Sequence, residues 1–335
     1  MRKLNILITQ YKETNEEIKP LLDSIQIQQH INFEDIEVII GNNGSDVKLT
    51  DDFINHYSYP IKYIQFKNTV LACNRQNLMG VADAEYVMWC DADDMFYHAL
   101  ALHKIFQYIE QGFDVLFNDF IEELFINGRY YIRRLEEDHI HVHGKVYRRQ
   151  FILDNEMNWC DKLSYNEDGC FNVLGLTLSK KTYRCKEPYY IWKWNPKSKT
   201  RSRKYNNIKV WIDMLQAYYH LIDNLLIRGY GKEARYYAVY GLYASYYMFK
   251  DPGWQDEWEG KDEHRIAVYK KLLEYISKYE LLLKYVDDDM RKGANEVNRK
   301  LASRKMKVDE IEEFPNIKEW IESIKSFMKE YEEIK

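Results

Sequence analysis

Tyr86-Val87-Met88-Trp89-Cys90-Asp91-Ala92-Asp93-Asp94 is the stretch that decides the fold. Its apolar first half reads as a strand buried on both faces. The carboxylates Asp91, Asp93 and Asp94 follow with no spacer. A strand buried on both faces belongs to a parallel sheet covered by helices. Acids at its carboxyl end sit where open α/β sheets bind ligands.

The flanking sequence repeats the pattern. Upstream, Leu4–Thr9, Ile36–Gly41 and Ile61–Phe66 read as strands. Glu16–Gln29 reads as a helix with Ile18, Leu21, Leu22 and Ile25 on one face, and Leu71–Ala82 as another. Downstream, Phe96–Gln111 reads as a helix and Asp114–Asp119 as a strand. Strands alternating with helices give an α/β class with a mostly parallel sheet. Asn127-Gly128 lies between the strand-like runs of Phe120–Arg134 and predicts a tight hairpin, because a type I′ turn needs positive φ at both central positions. Lys145–Asp154 and Asp168–Lys180 read as helical and Tyr189–Trp194 as extended. Asn195–Arg203 reads as a basic loop.

From Tyr205 the strand pattern stops. Trp211, Leu215, Tyr218 and Ile222 recur at helical spacing, as do Ile317, Trp320, Ile321, Ile324, Phe327, Met328 and Tyr331. The expected organisation is an α/β domain over 1–204 and an all-α domain over 205–335, the latter for binding a partner molecule or for self-association. Asp251-Pro252-Gly253 breaks the helical part. The last helix is expected to pack within its domain or across a dimer, because its Glu-rich polar face would be repelled by anionic lipid. Asp287-Asp288-Asp289 reads as a solvated helix start, where acids complement the dipole.

Composition narrows the classes. The 335 residues are 46% hydrophobic and 30% charged, so the chain can bury a core. The net charge of -5 argues against a dedicated nucleic-acid binder. The 29 tyrosines fit an AT-rich codon bias better than a sugar-binding role. Five scattered cysteines form no CxxC pair or zinc spacing, which suits free thiols in a reducing compartment. The N-terminal apolar run ends at Thr9, too short for a secretion signal, and no window reaches membrane-span length. A cytoplasmic protein is expected, at most peripheral to a membrane.

Three strand ends converge on one edge of the sheet: Thr9-Gln10-Tyr11-Lys12-Glu13, Asn42-Asn43-Gly44-Ser45-Asp46, and Asp91-Ala92-Asp93. Carboxylates there suit a hard divalent cation such as Mg²⁺ or Mn²⁺, with waters and phosphate oxygens completing the shell. No GxGxxG follows the first strand and no GxxxxGK[ST] occurs, which disfavours dinucleotide and P-loop chemistry.

These elements together resemble the family 2 glycosyltransferases of GT-A type, the inverting group that includes bacterial polysaccharide and teichoic-acid sugar transferases. The resemblance runs from residue 4 to about 203. It rests on the Thr9–Lys12 turn, Asn42-Asn43-Gly44-Ser45, Arg75-Gln76 entering a helix and Asp91-Ala92-Asp93. His143-Gly144-Lys145-Val146-Tyr147-Arg148, Glu167-Asp168 and YYIWKWNPKSKTRS continue it in the same order.

The resemblance implies a Rossmann-like domain with a mixed, mostly parallel sheet and a nucleotide-sugar donor, UDP-linked by default. It implies that Asp93, with Asp91, ligates Mn²⁺ or Mg²⁺. Thr9, Tyr11, Glu13, Asn43 and Arg75 would line the nucleoside, with Asp91, Ala92 and Asp93 beside the diphosphate. Ser198, Lys199 and Arg201 belong to a loop that closes over the donor phosphates. Asp168, with Glu167, would serve as general base. His143, Lys145, Trp192 and Trp194 are the acceptor candidates. A surface polysaccharide or teichoic-acid-like glycan is the expected acceptor. Modified bases of phage DNA, and a degenerate, non-catalytic glycan or partner binder, are the alternatives. Two departures stand out. Asn43 replaces the family's aspartate, and no histidine occurs at Trp194-Asn195-Pro196 to serve as a third metal ligand.

Overall fold

The computed structural model describes residues 2–198, 208–251, 261–303 and 311–334. The chain divides into two units, Met1–Arg201 and Ser202–Lys335.

The first unit is built on a seven-stranded sheet. Within it β1 (Leu4–Gln10) lies between β2 (Ile36–Asn42) and the central strand β4 (Tyr86–Asp91), parallel to both. β3 (Ile61–Gln65) extends the sheet beyond β2, again in parallel. Every residue of β1 is buried, the polar Asn5, Thr9 and Gln10 as well as the apolar Leu4, Ile6, Leu7 and Ile8, as a central strand covered on both faces requires. α1 (Asn15–Gln26) follows β1 and starts in a capping box: Thr14 Oγ1 accepts from the Glu17 amide while Glu17 accepts from the Thr14 amide. It buries Ile18, Leu21, Leu22 and Ile25, the face its spacing predicts. α2 (Asp51–Ile54), α3 (Leu71–Val81) and α4 (Ala101–Ile109) complete the crossovers. The mixed α/β class expected from the sequence is the observed one.

Two segments depart from local expectation. The start of the expected helix Phe96–Gln111 is a short strand, β5 (Met95–Phe96), and α4 begins only at Ala101. The start of the expected helix Lys145–Asp154 is β9 (Val146–Arg148), antiparallel to both β4 and β6 (Val115–Asn118). Only Arg149–Asp154, α5, is helical. A three-residue run with open ladders on both sides gains more from pairing than from a helical turn, so tertiary context overrides propensity.

A second sheet, ordered β5-β11-β7-β8, carries the hairpin β7 (Phe120–Ile126) and β8 (Arg129–Leu135) beside β11 (Tyr190–Trp192). Asn127 (φ 51°) and Gly128 (φ 77°) form its tight turn as predicted. β10 (Thr182–Cys185) closes the large sheet beside β6.

The described part of the second unit is helical: α7 (Ile208–Ile227), α8 (Gly231–Lys250), α9 (Asp262–Lys278), α10 (Glu280–Lys284), α11 (Asp288–Ala302) and α12 (Ile317–Ile334). Asp287 caps α11 by accepting from the Met290 amide, so the acidic triplet is a helix start as expected. Trp320, Ile324 and Met328 bury one face of α12 inside this unit. Pro252 and Gly253 lie outside the described residues. Among the described residues no helix is long and apolar enough to cross a membrane.

Candidate active site

The carboxyl end of β4 carries a cluster of three carboxylates, Asp91, Asp93 and Asp94. Asp94 is fully buried, and its amide donates to the Asp91 carbonyl (3.2 Å), turning the chain directly after the strand. Its carboxylate accepts from the Tyr190 hydroxyl (2.9 Å) and the Lys193 amide (3.0 Å), so β11 and the segment after it fix its orientation. Asp93 accepts from Asn195 Nδ2 (2.6 Å). Ala92 is buried and offers only its backbone to a ligand.

Arg75, on α3, is 2% exposed. Its guanidinium donates to Asp91 Oδ1 and to Glu167 Oε1, both at 3.0 Å. It lies 4.9 Å from the centroid of Trp159, which stacks on Phe171 of α6 (Glu167–Leu178) at 4.3 Å. One cation therefore joins the end of β4 to the start of α6. Burial pushes the Asp91 carboxyl up, but Arg75, with His143 and His141, together outweighs it and the net shift is downward. Burial raises Asp93, with the Asp91 charge second. Burial also raises Asp94, helped by Asp93 and Asp91. Glu167 is raised by its enclosure against the pull of Arg75. A single guanidinium faces both Asp91 and Glu167, so the more enclosed Glu167 holds its proton longer.

α6 opens at Asn166, which adopts the left-handed conformation (φ 62°) and makes no side-chain cap. Asp168 accepts from the neighbouring Gly169 amide (2.8 Å) and is half-buried. It acts electrostatically on Arg75, His141 and His143. The Glu167-Asp168 pair thus faces the β4 end, and Glu167 spends its carboxylate on Arg75 rather than on a helix cap.

The segment before β9 supplies the site's histidines. His143 is 4% exposed, with its ring stacked near Trp192 (5.0 Å), His141 (5.4 Å) and Tyr190 (5.6 Å). Its Nδ1 lies 3.4 Å from Asp94 Oδ2 yet makes no hydrogen bond. Burial lowers its pKa to about 4, so the ring is neutral at pH 7. Asp91, Asp94 and His143 each offer one ligand atom within 4.8 Å of the others. Two carboxylates and an unbonded imidazole nitrogen suit a divalent cation. Lys145 is fully buried, its ammonium held by Asp138 and the His141 carbonyl, so it supports this segment from behind and presents no surface.

The other sequence candidates divide in the same way. Thr9 is nearly buried at the end of β1. Tyr11 is exposed, and Glu13 folds back to accept from the Tyr11 amide (2.7 Å). Asn43 is buried and uses both ends of its amide on Thr69: Nδ2 donates to the carbonyl (2.8 Å) and Oδ1 accepts from the amide (3.1 Å). An aspartate would have no proton for that carbonyl, which accounts for Asn at this position. Trp192 and Trp194 are partly exposed, with Trp194 6.1 Å from Phe125 of the hairpin. The Ser198 amide closes a turn onto Asn195. Lys199 and Arg201 lie outside the described residues. Sequence reasoning placed Asp94 among the acids after the strand but gave it no role of its own, and it missed Tyr190 and Asn195.

Residues 5–169 match the family model "Glycosyl transferase family 2", with the β4 acids and Glu167-Asp168 inside the match. The chain carries a family 2 glycosyltransferase domain. Three solved structures share the fold of this glycosyltransferase over most of its length. S. aureus TarS 1-349 aligns at TM-score 0.51 and 16% identity, over 89% of this chain and 91% of that one. Its complex with UDP-GlcNAc aligns at TM-score 0.53 and 15% identity, over 89% and 92%. Its complex with UDP aligns at TM-score 0.51 and 15% identity, over 89% and 91%. No curated protein matches the glycosyltransferase in sequence.

Proposed function

We propose that this glycosyltransferase moves a sugar from a nucleoside-diphosphate sugar, UDP-linked by default, to a hydroxyl of a surface polysaccharide or teichoic-acid-like glycan, with inversion. The observation that carries the reading is the Arg75 bridge, which ties the donor-side carboxylate Asp91 to the helix that presents Asp168. The solved complex of TarS with UDP-GlcNAc, on the same fold, supports the choice of donor.

Asp168 takes the proton of the acceptor hydroxyl as that oxygen bonds to the anomeric carbon. The bond from that carbon to the diphosphate oxygen breaks on the opposite side, and its electron pair leaves with the nucleoside diphosphate. Thr9, Tyr11 and the Asn43 turn line the nucleoside. A divalent cation, when bound among the acids after β4, offsets the charge of the leaving diphosphate. Trp192 and Trp194 offer ring faces to the acceptor sugar. Arg75, through Glu167, holds the start of α6 against the end of β4.

The test pairs binding with turnover. UDP-, GDP-, CDP- and TDP-sugars are screened with Mn²⁺ by thermal shift, since a ligand of the native state raises its apparent stability. Asp168→Asn is expected to keep the donor-induced shift and lose roughly 100-fold or more of glycosyl transfer. Full transfer by Asp168→Asn removes the base assignment, and no shift with any donor removes the donor reading.

A further inference from the structure

We infer that two copies of this chain associate through the free edge of the hairpin, β8 pairing antiparallel with β8 of a second copy about a two-fold axis at Ile132. The inference goes beyond the glycosyl-transfer reading and does not rest on it.

β8 is the last strand of its four-stranded sheet. Its residues from Arg129 to Arg134 are all exposed. Tyr130 (68%), Tyr131 (48%) and Ile132 (70%) put large apolar surface in solvent beside Phe125 and Ile126 of β7. Such an edge is a template for another strand unless proline, a bulge or charge blunts it. β8 has no proline, and its ladder with β7 runs unbroken from Arg129 to Leu135. Most of its charge is spent inside the subunit. Arg133 pairs with Glu122, and Arg134 donates to Asp119 (2.6 Å). Those pairs weaken the edge as a site for an anionic ligand and lower the repulsion between two copies of it, which favours a second copy as the occupant.

The register is self-complementary. The two-residue turn makes Ile126 and Arg129 a hydrogen-bonded pair, so Tyr130, Ile132 and Arg134 turn their N–H and C=O groups away from β7. Ile132 is the middle residue of β8, so an axis there uses the whole strand. It sets Ile132 against Ile132 of the second copy, and Tyr130 against Arg134 of the second copy. These are the residues whose backbone groups face outward, so the new ladder takes up the free edge. Tyr131 then meets Arg133 of the second copy, and both tyrosines face a guanidinium, a favourable cation–π pairing. An axis at Tyr131 would oppose Arg129 to Arg133, and one at Arg133 would oppose that residue to itself. Phe125 and Tyr130, with rings 4.9 Å apart, share the face of Ile132, so the apolar strip runs on across the axis. One patch serving both partners is the isologous interface that closes a dimer.

The test is sedimentation velocity of the full chain over a micromolar dilution series. The wild type is expected to be a dimer that dissociates on dilution. Ile132→Lys sets two ammonium groups together at the axis and is expected to raise the dissociation constant about tenfold or more. Ile132 is exposed, so this change removes no core contact. A second experiment reads the register. On oxidation by copper-phenanthroline in air, Ile132→Cys is expected to give a covalent dimer, because residues paired on the axis lie about 5.5 Å apart. Tyr130→Cys would hold its two sulfurs roughly 13 Å apart and is expected to link no more than the wild type does. A monomer throughout the series overturns the inference. A dimer that Ile132→Lys leaves equally tight also overturns it and moves association to another surface, such as the helical unit. Linkage by Tyr130→Cys in place of Ile132→Cys overturns the register and the axis with it.

Discussion

Arg75 shows how far a residue's identity can be separated from its place. The resemblance set it against the nucleoside, but its guanidinium is buried between Asp91 and Glu167. It is a positioning residue, and Arg suits the task because its planar fork reaches two carboxylates at once. Arg75→Lys keeps the charge and loses the fork. Turnover is expected to fall about 100-fold through misplacement of α6, with the KM for donor nearly unchanged. Steady-state kinetics with varied donor decide the matter. A raised donor KM at unchanged kcat would put the guanidinium on the nucleotide instead. Asn43 makes the same point: its departure from the family's aspartate is explained by Thr69, a partner that its neighbours in sequence do not reveal.

At the scale of elements, β4, α3 and the hairpin were legible because their periodicity is local. Tyr86–Cys90 is a continuous apolar run, and Asn127-Gly128 encodes its turn in two residues. β9 was not legible. Val146–Arg148 is too short to carry a period, and its strand state comes from the open ladders of β4 and β6. Its entry depends on Gly144, at φ 75°, where an added Cβ would lie 2.6 Å from the Asn118 side chain. Gly144→Ala is expected to cost about 1 kcal/mol from backbone conformation, and more from the clash. Because His143 precedes it, Mn²⁺ affinity should fall as well. Gly128→Ala is the control: φ is 77°, but nothing lies within 4 Å of the added carbon. It should lower the melting temperature by a similar backbone amount and leave Mn²⁺ affinity unchanged. Equal metal affinity in the two variants would show that the loop does not set His143.

At the scale of the whole molecule, charge placement matters more than net charge. In the catalytic unit, Asp119 is fully buried between β6 and β7 and accepts from Arg134 of β8 (2.6 Å) and Arg184 of β10 (2.9 Å), tying the two sheets together. Burial pushes its carboxyl up, but the two guanidinium groups outweigh that and hold it below the usual range. A depressed carboxylate stabilises the fold above its unfolded pKa of about 3.9, and that contribution is lost as pH falls through the folded value. Asp119→Asn is therefore expected to cost about 2 kcal/mol at pH 7, after discounting for the exposed side of Arg134. The difference should narrow toward pH 3. Urea unfolding at the two pH values checks the sign, and a gap that widens in acid would refute it. In the helical unit, tyrosines act as core residues with satisfied hydroxyls. Tyr275 donates to the Ala238 carbonyl (2.9 Å) and Tyr247 to Asn295 (2.6 Å). Their abundance there is used for packing.

The sequence by itself determined the class of the fold, the order of its main strands and helices, and the family. All three are written in local periodicity, turn chemistry and ordered motifs. Tertiary structure alone decided which side chains meet. Arg75 and Glu167 are 92 positions apart, and His143 reaches Asp94 only because β9 inserts beside β4. Such contacts depend on strand order and register through space, which no periodicity along the chain encodes.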